Sequence, residues 1–170
     1  SSATAIITVL DTTSPTAIAQ DISVYLDGFG SVTILAADVD NSSADNCSTV
    51  SLAMDVSTFT CADLGTNNVI LTVTDGSNNT SNATAIVTVL DTTSPSALTQ
   101  DISVYLDATG NVSIVASDVD GGSGGNCGTV SLAIDISAFT CADIGANTVT
   151  LTSTDNSNNT SSATATVTVL

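Results

Sequence analysis

Ile22, Val24 and Leu26 alternate with Ser23 and Tyr25. The same two-residue beat returns at Val32, Ile34 and Ala36, at Val50, Leu52 and Met54, at Val69, Leu71 and Val73, and at Ala85, Val87 and Val89. Successive side chains of a strand point to opposite faces, so period two marks strands that bury one side. Clusters of Gly, Asn, Asp and Ser separate the runs, as turns require. Short alternating strands between such clusters predict an antiparallel β-sandwich. The longest unbroken apolar run, residues 34–37, is far short of the roughly 20 residues a spanning helix needs, so no membrane span is expected.

The pattern is written twice. Residues 11–90 laid over 91–170 without a gap agree at 55 of 80 positions, and "DTTSP" stands at 11–15 and again at 91–95. "ATAIITVL" (3–10) matches "ATAIVTVL" (83–90) and "ATATVTVL" (163–170). The organisation expected is therefore all-β: residues 1–10 as the last strand of a preceding repeat, then immunoglobulin-like sandwiches at 11–90 and 91–170. Such a chain reads as a mature or excised window on a longer array. In each "DTTSP" the Asp can cap its own turn and the Pro fixes φ while denying a donor to any sheet. Short stiff linkers favour an extended rod over beads on a string.

Composition sharpens this. The chain of 170 residues has no Lys, Arg, His, Glu or Trp, and its seventeen charges are all Asp, for a net charge of -17. Phosphate backbones and anionic lipids are bound through Lys and Arg, so nucleic acid and acidic membranes are excluded as partners. No Asp can form a side-chain salt bridge. Each must be hydrated, cap backbone N–H groups or hold a cation, and carboxylates gathered without one would resist joint ionisation. Acid-base chemistry would rest on Asp, Cys or Tyr alone, and an enzyme is not expected. The twice-written Asp-Thr-Thr superficially matches aspartic protease elements, but that chemistry needs two carboxylates sharing a proton in one cleft, which modules in series do not provide. The missing Lys and Arg also remove every trypsin-type cleavage site.

An eighty-residue unit buries a modest, mostly aliphatic core and benefits from a covalent staple. Cys47 and Cys61 lie fourteen apart, and Cys127 and Cys141 repeat that spacing. Repeat symmetry favours Cys47 with Cys61 and Cys127 with Cys141, each bridge contributing about 3 kcal/mol by the loop-entropy model. Paired cysteines in a small β-unit point to an oxidising, extracellular setting.

The run "DTTSP...DISVYLD.G.V.I.A.DVD...NC...FTCADIG.N.V.LT.TD.SNNTS.ATA.VTVL" resembles the HYR (hyalin repeat) family of immunoglobulin-like modules, in the form found in tandem in very large secreted surface proteins of gliding and adhesive bacteria. The resemblance covers essentially the whole chain. Many such modules carry a Cys shortly after the Pro and another near the start of the last strand; here Ala19 and Ala83, then Thr99 and Ala163, occupy those places. The resemblance implies a stalk or adhesin role at the cell surface or in secreted form, and no chemistry.

Immunoglobulin-like connectivity would bring the loops at 38–47 and 75–82 to the end where the linker enters. That gathers Asp11, Asp38, Asp40 and Asp75 in the first repeat, and Asp91, Asp118, Asp120 and Asp155 in the second, as hard oxygen ligands suited to Ca²⁺. Turn formation and solubilising charge are the plainer reading of the same residues. "DGSNN" superficially matches a calcium loop, but an EF-hand needs a Glu at its twelfth position. Thr12 and Thr92 are candidate O-glycan acceptors. Tyr25 and Tyr105 alternate with inward residues and are candidate surface-binding rings for glycans. The expected function is a structural repeat of a surface fibre or adhesin stalk, giving reach and resistance to proteolysis. Its expected partners are neighbouring repeats, with lateral or end-to-end self-association. A carbohydrate-binding module and a strand-exchange filament subunit are the alternatives.

Overall fold

The computed structural model describes residues 2–170, and Ser1 lies outside them. The chain divides into two compact units, Ser1–Tyr25 with Ser31–Leu90, and Leu26–Gly30 with Asp91–Leu170. Each follows the same strand plan.

In the first unit the strands are β1 (Ile22–Tyr25), β2 (Ser31–Thr33), β3 (Ser51–Met54), β4 (Thr58–Thr60), β5 (Gly65–Thr74) and β6 (Thr80–Leu90). One sheet runs β1-β6-β5-β3 and a second pairs β2 with β4. β5 and β6 form a long antiparallel hairpin from Gly65↔Val89 to Thr74↔Thr80. β1 lies parallel to the end of β6, Ile22 opposite Val87. Asp21 Oδ1 sets that register by accepting the Ile86 amide at 2.7 Å. The second unit repeats the plan with β7 (Ile102–Val104), β8 (Asn111–Ser113), β9 (Ser131–Ile134), β10 (Ala138–Thr140), β11 (Gly145–Thr154) and β12 (Thr160–Val169). Its sheets run β7-β12-β11-β9 and β10-β8. The fold is all-β, each unit a sandwich of one four-stranded and one two-stranded sheet.

The core follows the period-two pattern. Val69, Leu71, Val73, Ala85, Val87 and Val89 are buried between the sheets with Ile34, Val39 and Phe59. The second unit buries Ile114, Val119, Phe139, Val149, Leu151, Ala165, Val167 and Val169. Each fully buried Val, Leu or Phe contributes about 1.5–3 kcal/mol of transfer free energy. The exception is Ser153, fully buried where the first unit has Val73.

Two expectations need correction. The strand at Val32 stops at Thr33 and does not reach Ala36, because the Asp38 carboxylate accepts the Leu35 amide at 2.7 Å and turns Ala36–Val39 into a single helical turn, α1. Residues 2–10, whose pattern matches β6 and β12, have no pairing partner among the described residues, and Ile6, Ile7 and Val9 are 93%, 86% and 89% exposed. A strand forms by pairing with a neighbouring edge, and the described residues pair none with this segment. Finally, the expected pairs Cys47–Cys61 and Cys127–Cys141 do not form. Cys61 and Cys127 are disulfide-bonded, whereas Cys47 and Cys141 are exposed thiols. The reason is the length of the sandwich. Ser48, next to Cys47, accepts the Gly76 amide through its Oγ at 2.9 Å, just beyond the last residue of β5. Cys61 opens the turn Cys61–Asp63 that precedes the first residue of β5. Ten residues of strand separate those ends, roughly 30 Å, against a Cα separation of about 4.4–6.8 Å for a disulfide.

Candidate metal centre

In the first unit the chain enters through Asp11, turns at Pro15, which is buried, and pairs its next residues with the loop after α1. The Thr16 amide donates to Ala44 O at 2.8 Å, and the Ala44 amide donates back to Thr16 O at 3.1 Å. This clamp holds the loop carrying Asp45 against the entering chain. The turn between β5 and β6 closes the other side. There Asp75 accepts the Ser77 and Asn79 amides on Oδ1, both at 2.8 Å, and Asn78 takes a positive φ of 67°, a conformation Asn tolerates. Asn79 then ties turn to linker, its Nδ2 donating to Asp75 Oδ2 at 2.7 Å and to Asp11 O at 3.2 Å.

The result is a cluster of three carboxylates, Asp11, Asp45 and Asp75, each offering an oxygen within 4.8 Å of the others. Their oxygens divide by use. Asp11 Oδ1 accepts the Thr13 amide at 3.0 Å. Asp45 Oδ2 accepts the Cys47 and Ser48 amides at 2.8 and 3.0 Å. Asp11 Oδ2 and Asp45 Oδ1 are shielded from solvent and have no hydrogen-bond partner. The Cys47 amide, foremost, holds the Asp45 carboxyl below the usual carboxylate range. The negative field also shows at the neighbouring thiol: the Asp11 carboxylate first, then burial, then Asp45 and Asp75 push Cys47 up. Three gathered carboxylates with no basic side chain in the chain are a natural seat for a cation with hard oxygen ligands.

The second unit keeps part of this arrangement. Asp155 accepts the Ser157 and Asn159 amides on Oδ1, at 2.9 and 2.8 Å. Asn159 Nδ2 bridges Asp155 Oδ2 and Asp91 O, at 3.0 and 3.1 Å. Asp91 is 7% exposed, and its Oδ2 has no partner. Gly125 stands where the first repeat has Asp45, so the third carboxylate is missing.

Of the aspartates nominated from sequence, Asp11 and Asp75 meet at one place; Asp91 and Asp155 are joined through Asn159. Asp38, Asp40, Asp118 and Asp120 are engaged in local turns instead. Asp38 Oδ2 caps Leu35, and Asp118 Oδ2 caps the Val115 amide at 2.8 Å. Asp40 Oδ1 accepts the Ser43 amide at 3.1 Å, and Asp120 Oδ1 the Ser123 amide at 2.9 Å. The Ser123 hydroxyl and amide hold Asp120 below its ordinary value. Sequence reasoning missed Asp45, Asn79 and Asn159. The available signal was the recurring Asp-x-x-x-Asn of "DGSNN" and "DNSNN", with the Asn spaced to cap the turn its Asp begins. Thr12 and Thr92 are exposed, as are Tyr25 and Tyr105.

No protein-family model matches the chain, and no curated protein does. Among solved structures it is similar to human protocadherin-24 EC1-2, with a TM-score of 0.47 and 13% identity over 94% of this chain and 99% of that one. Human mucin-like protocadherin EC1-2 gives a TM-score of 0.44 and 12% identity, covering 92% and 97%. Sidekick-1 immunoglobulin domains 1-4 give 0.43 and 10%, covering 94% of this chain and 48% of that one.

Proposed function

We propose that this chain is a structural repeat module of an extracellular surface fibre or adhesin stalk, in which tandem HYR-like sandwiches supply reach. The observation that carries the reading lies within a single unit. The chain enters beside the β5–β6 turn, where Asn79 holds Asp11, and leaves from the far end of β6, where Val89 faces Gly65. Entry and exit are thus separated by the length of a ten-residue strand, roughly 30 Å. Modules built this way lengthen a chain by a fixed step per repeat. The aspartate-only charge and the lack of trypsin-type sites suit an exposed filament. Small-angle scattering on arrays of two, four and six repeats tests the reading. The maximum dimension should rise by a constant increment per repeat, and a compact particle whose size grows with the cube root of mass would refute it.

In this role the cluster of Asp11, Asp45 and Asp75 would bind Ca²⁺ and stiffen the entrance to the unit. The buried, unpartnered Asp11 Oδ2 and Asp45 Oδ1 support this, since a cation is the ligand that would satisfy both. Isothermal titration with Ca²⁺ should find a site that Asp45→Asn removes. A surface-glycan role is favoured by one feature only, the exposure of Tyr25 and Tyr105 at equivalent positions, and a glycan array separates it from a pure spacer.

A further inference from the structure

The largest run of uncovered apolar surface in the chain is residues 6–10, where Leu10 is 76% exposed and Ile6, Ile7 and Val9 more so. Such a run loses free energy to water, and its backbone N–H and C=O groups take up a sheet neighbour where one is offered. The repeat states which neighbours it fits. Residues 3–10 differ from residues 83–90 of β6 only in carrying Ile7 where β6 has Val87, and they match residues 163–170 at the end of the second unit almost as closely.

That stretch of β6 is a central strand, paired on both sides. Ala83 to Val89 run antiparallel to Leu71 to Gly65 of β5, and Val87 to Leu90 run parallel to Ile22 to Tyr25 of β1. Its alternate side chains Ala85, Val87 and Val89 are buried, as are Ala165, Val167 and Val169 of β12. One carboxylate pins the register in each unit: Asp21 Oδ1 accepts the Ile86 amide at 2.7 Å, and Asp101 Oδ1 accepts the Thr166 amide at 2.6 Å. Among the described residues both gaps of this kind are filled, one by β6 and one by β12. Residues 3–10 thus carry a full set of inward side chains, Ala5, Ile7 and Val9, and find no seat in either unit.

We infer that residues 3–10 dock as the sixth strand of a further sandwich of this same repeat, one that supplies the equivalents of β1 to β5. The segment lies parallel to a strand of the β1 kind and antiparallel to one of the β5 kind. Ala5, Ile7 and Val9 enter the core, and the Ile6 amide donates to the Asp that precedes the parallel strand. Ile6 and Leu10 fall on the outer face, where their counterparts Ile86 and Leu90 keep 41% and 37% of their exposure. A lone sheet edge does not satisfy the segment, because it pairs one row of backbone groups and leaves the inward side chains without a core. The inference rests on the pairing inside each unit and does not depend on the stalk reading.

Amide hydrogen exchange followed by NMR tests it. In the present chain Ile7 and Val9 should exchange at the rate of an unstructured peptide. An extended chain, with a second copy of residues 11–82 placed ahead of Ala3, offers the segment its partner. There the Ile7 and Val9 amides should slow to the rates of Val87 and Val89, and calorimetry should show one more folded unit. Ile7→Asp in the extended chain should abolish that protection while Val87 and Val167 keep theirs. The same substitution in the present chain should leave the melting curve unchanged. The added residues are ones that fold when β6 follows them, so fast exchange at residues 3–10 in the extended chain would overturn the inference. A lowered melting midpoint for Ile7→Asp in the present chain would overturn it as well, since the segment would then have its partner within the two units.

Discussion

Replacing Ser153 with valine should stabilise the second unit, and the first unit supplies the size of the effect. Ser153 lies on β11 with no exposed surface, and its Oγ has no hydrogen-bond partner. Its cross-strand neighbours are Ser161 on β12 and Leu132 on β9. The equivalent Val73 on β5 is also fully buried and faces Ser81 and Leu52. The same lattice of neighbours thus already accommodates valine once in this chain. Leaving a buried hydroxyl unsatisfied costs about 1–3 kcal/mol. The extra carbon of valine adds about 1 kcal/mol of burial, at ~0.8 kcal/mol per methylene. Some of this is lost to repacking, about 1 kcal/mol where the shape is nearly right. The net expectation is about 2 kcal/mol.

For a domain of this size that corresponds to a rise of about 8–16 °C in the melting midpoint of the second unit. Scanning calorimetry of Ser153→Val measures the shift, and amide exchange at Leu151 assigns it to the second unit. The reciprocal Val73→Ser should lower the first unit's stability by a similar amount, with loss of exchange protection at Leu71. An unchanged or lowered midpoint for Ser153→Val, beside a harmless Val73→Ser, would mean that the hydroxyl is satisfied and the reasoning is wrong.

Gly125→Asp should create a second cation site beside Asp91 and Asp155, because a Cβ at Gly125 meets nothing closer than Val130 Cγ1 at 3.6 Å; titration calorimetry should show one more Ca²⁺ per chain than the parent. Asn79→Ala removes the donor that ties Asp11 O to Asp75 Oδ2 and should cost about 1–3 kcal/mol, read as a lower urea midpoint. Acid should weaken the fold: backbone amides, with the Thr109 hydroxyl foremost at Asp107, hold the carboxyls of Asp107 and Asp135 below the ordinary 3.8. A depressed folded-state pKa contributes stability that is present above the unfolded value and lost as pH falls through the folded one. The urea midpoint should therefore drop from pH 6 to pH 3, and Asp135→Asn should flatten that dependence.

How far the sequence discloses these features depends on whether the physics is local. Alternation revealed β1, β3, β5 and β6 because each turns one face inward; Leu26, Val69, Leu71, Val73, Val87 and Val89 are buried as it predicts, whereas Val39 is buried on the helical turn that alternation did not predict. β4 escaped because Thr58-Phe59-Thr60 has a single inward residue, too short for a period to register. Asp11 and Asp75 were readable as turn formers at the linker and the hairpin. Asp45 was not, because its counterpart Gly125 broke the repeat, and agreement between copies is a weak guide where only one copy binds. Asn79 and Asn159 were not, because the bridge each makes between linker and turn joins residues 68 apart in the chain. The cysteines expose the limit of symmetry itself. The repeat gives Cys47 and Cys127 one role and Cys61 and Cys141 another, yet one member of each pair is a thiol and the other is disulfide-bonded. A separation of fourteen residues looks local along the chain. The long strand that begins just after Cys61 and ends at the turn beside Cys47 makes it distant in space, and that length decides the chemistry.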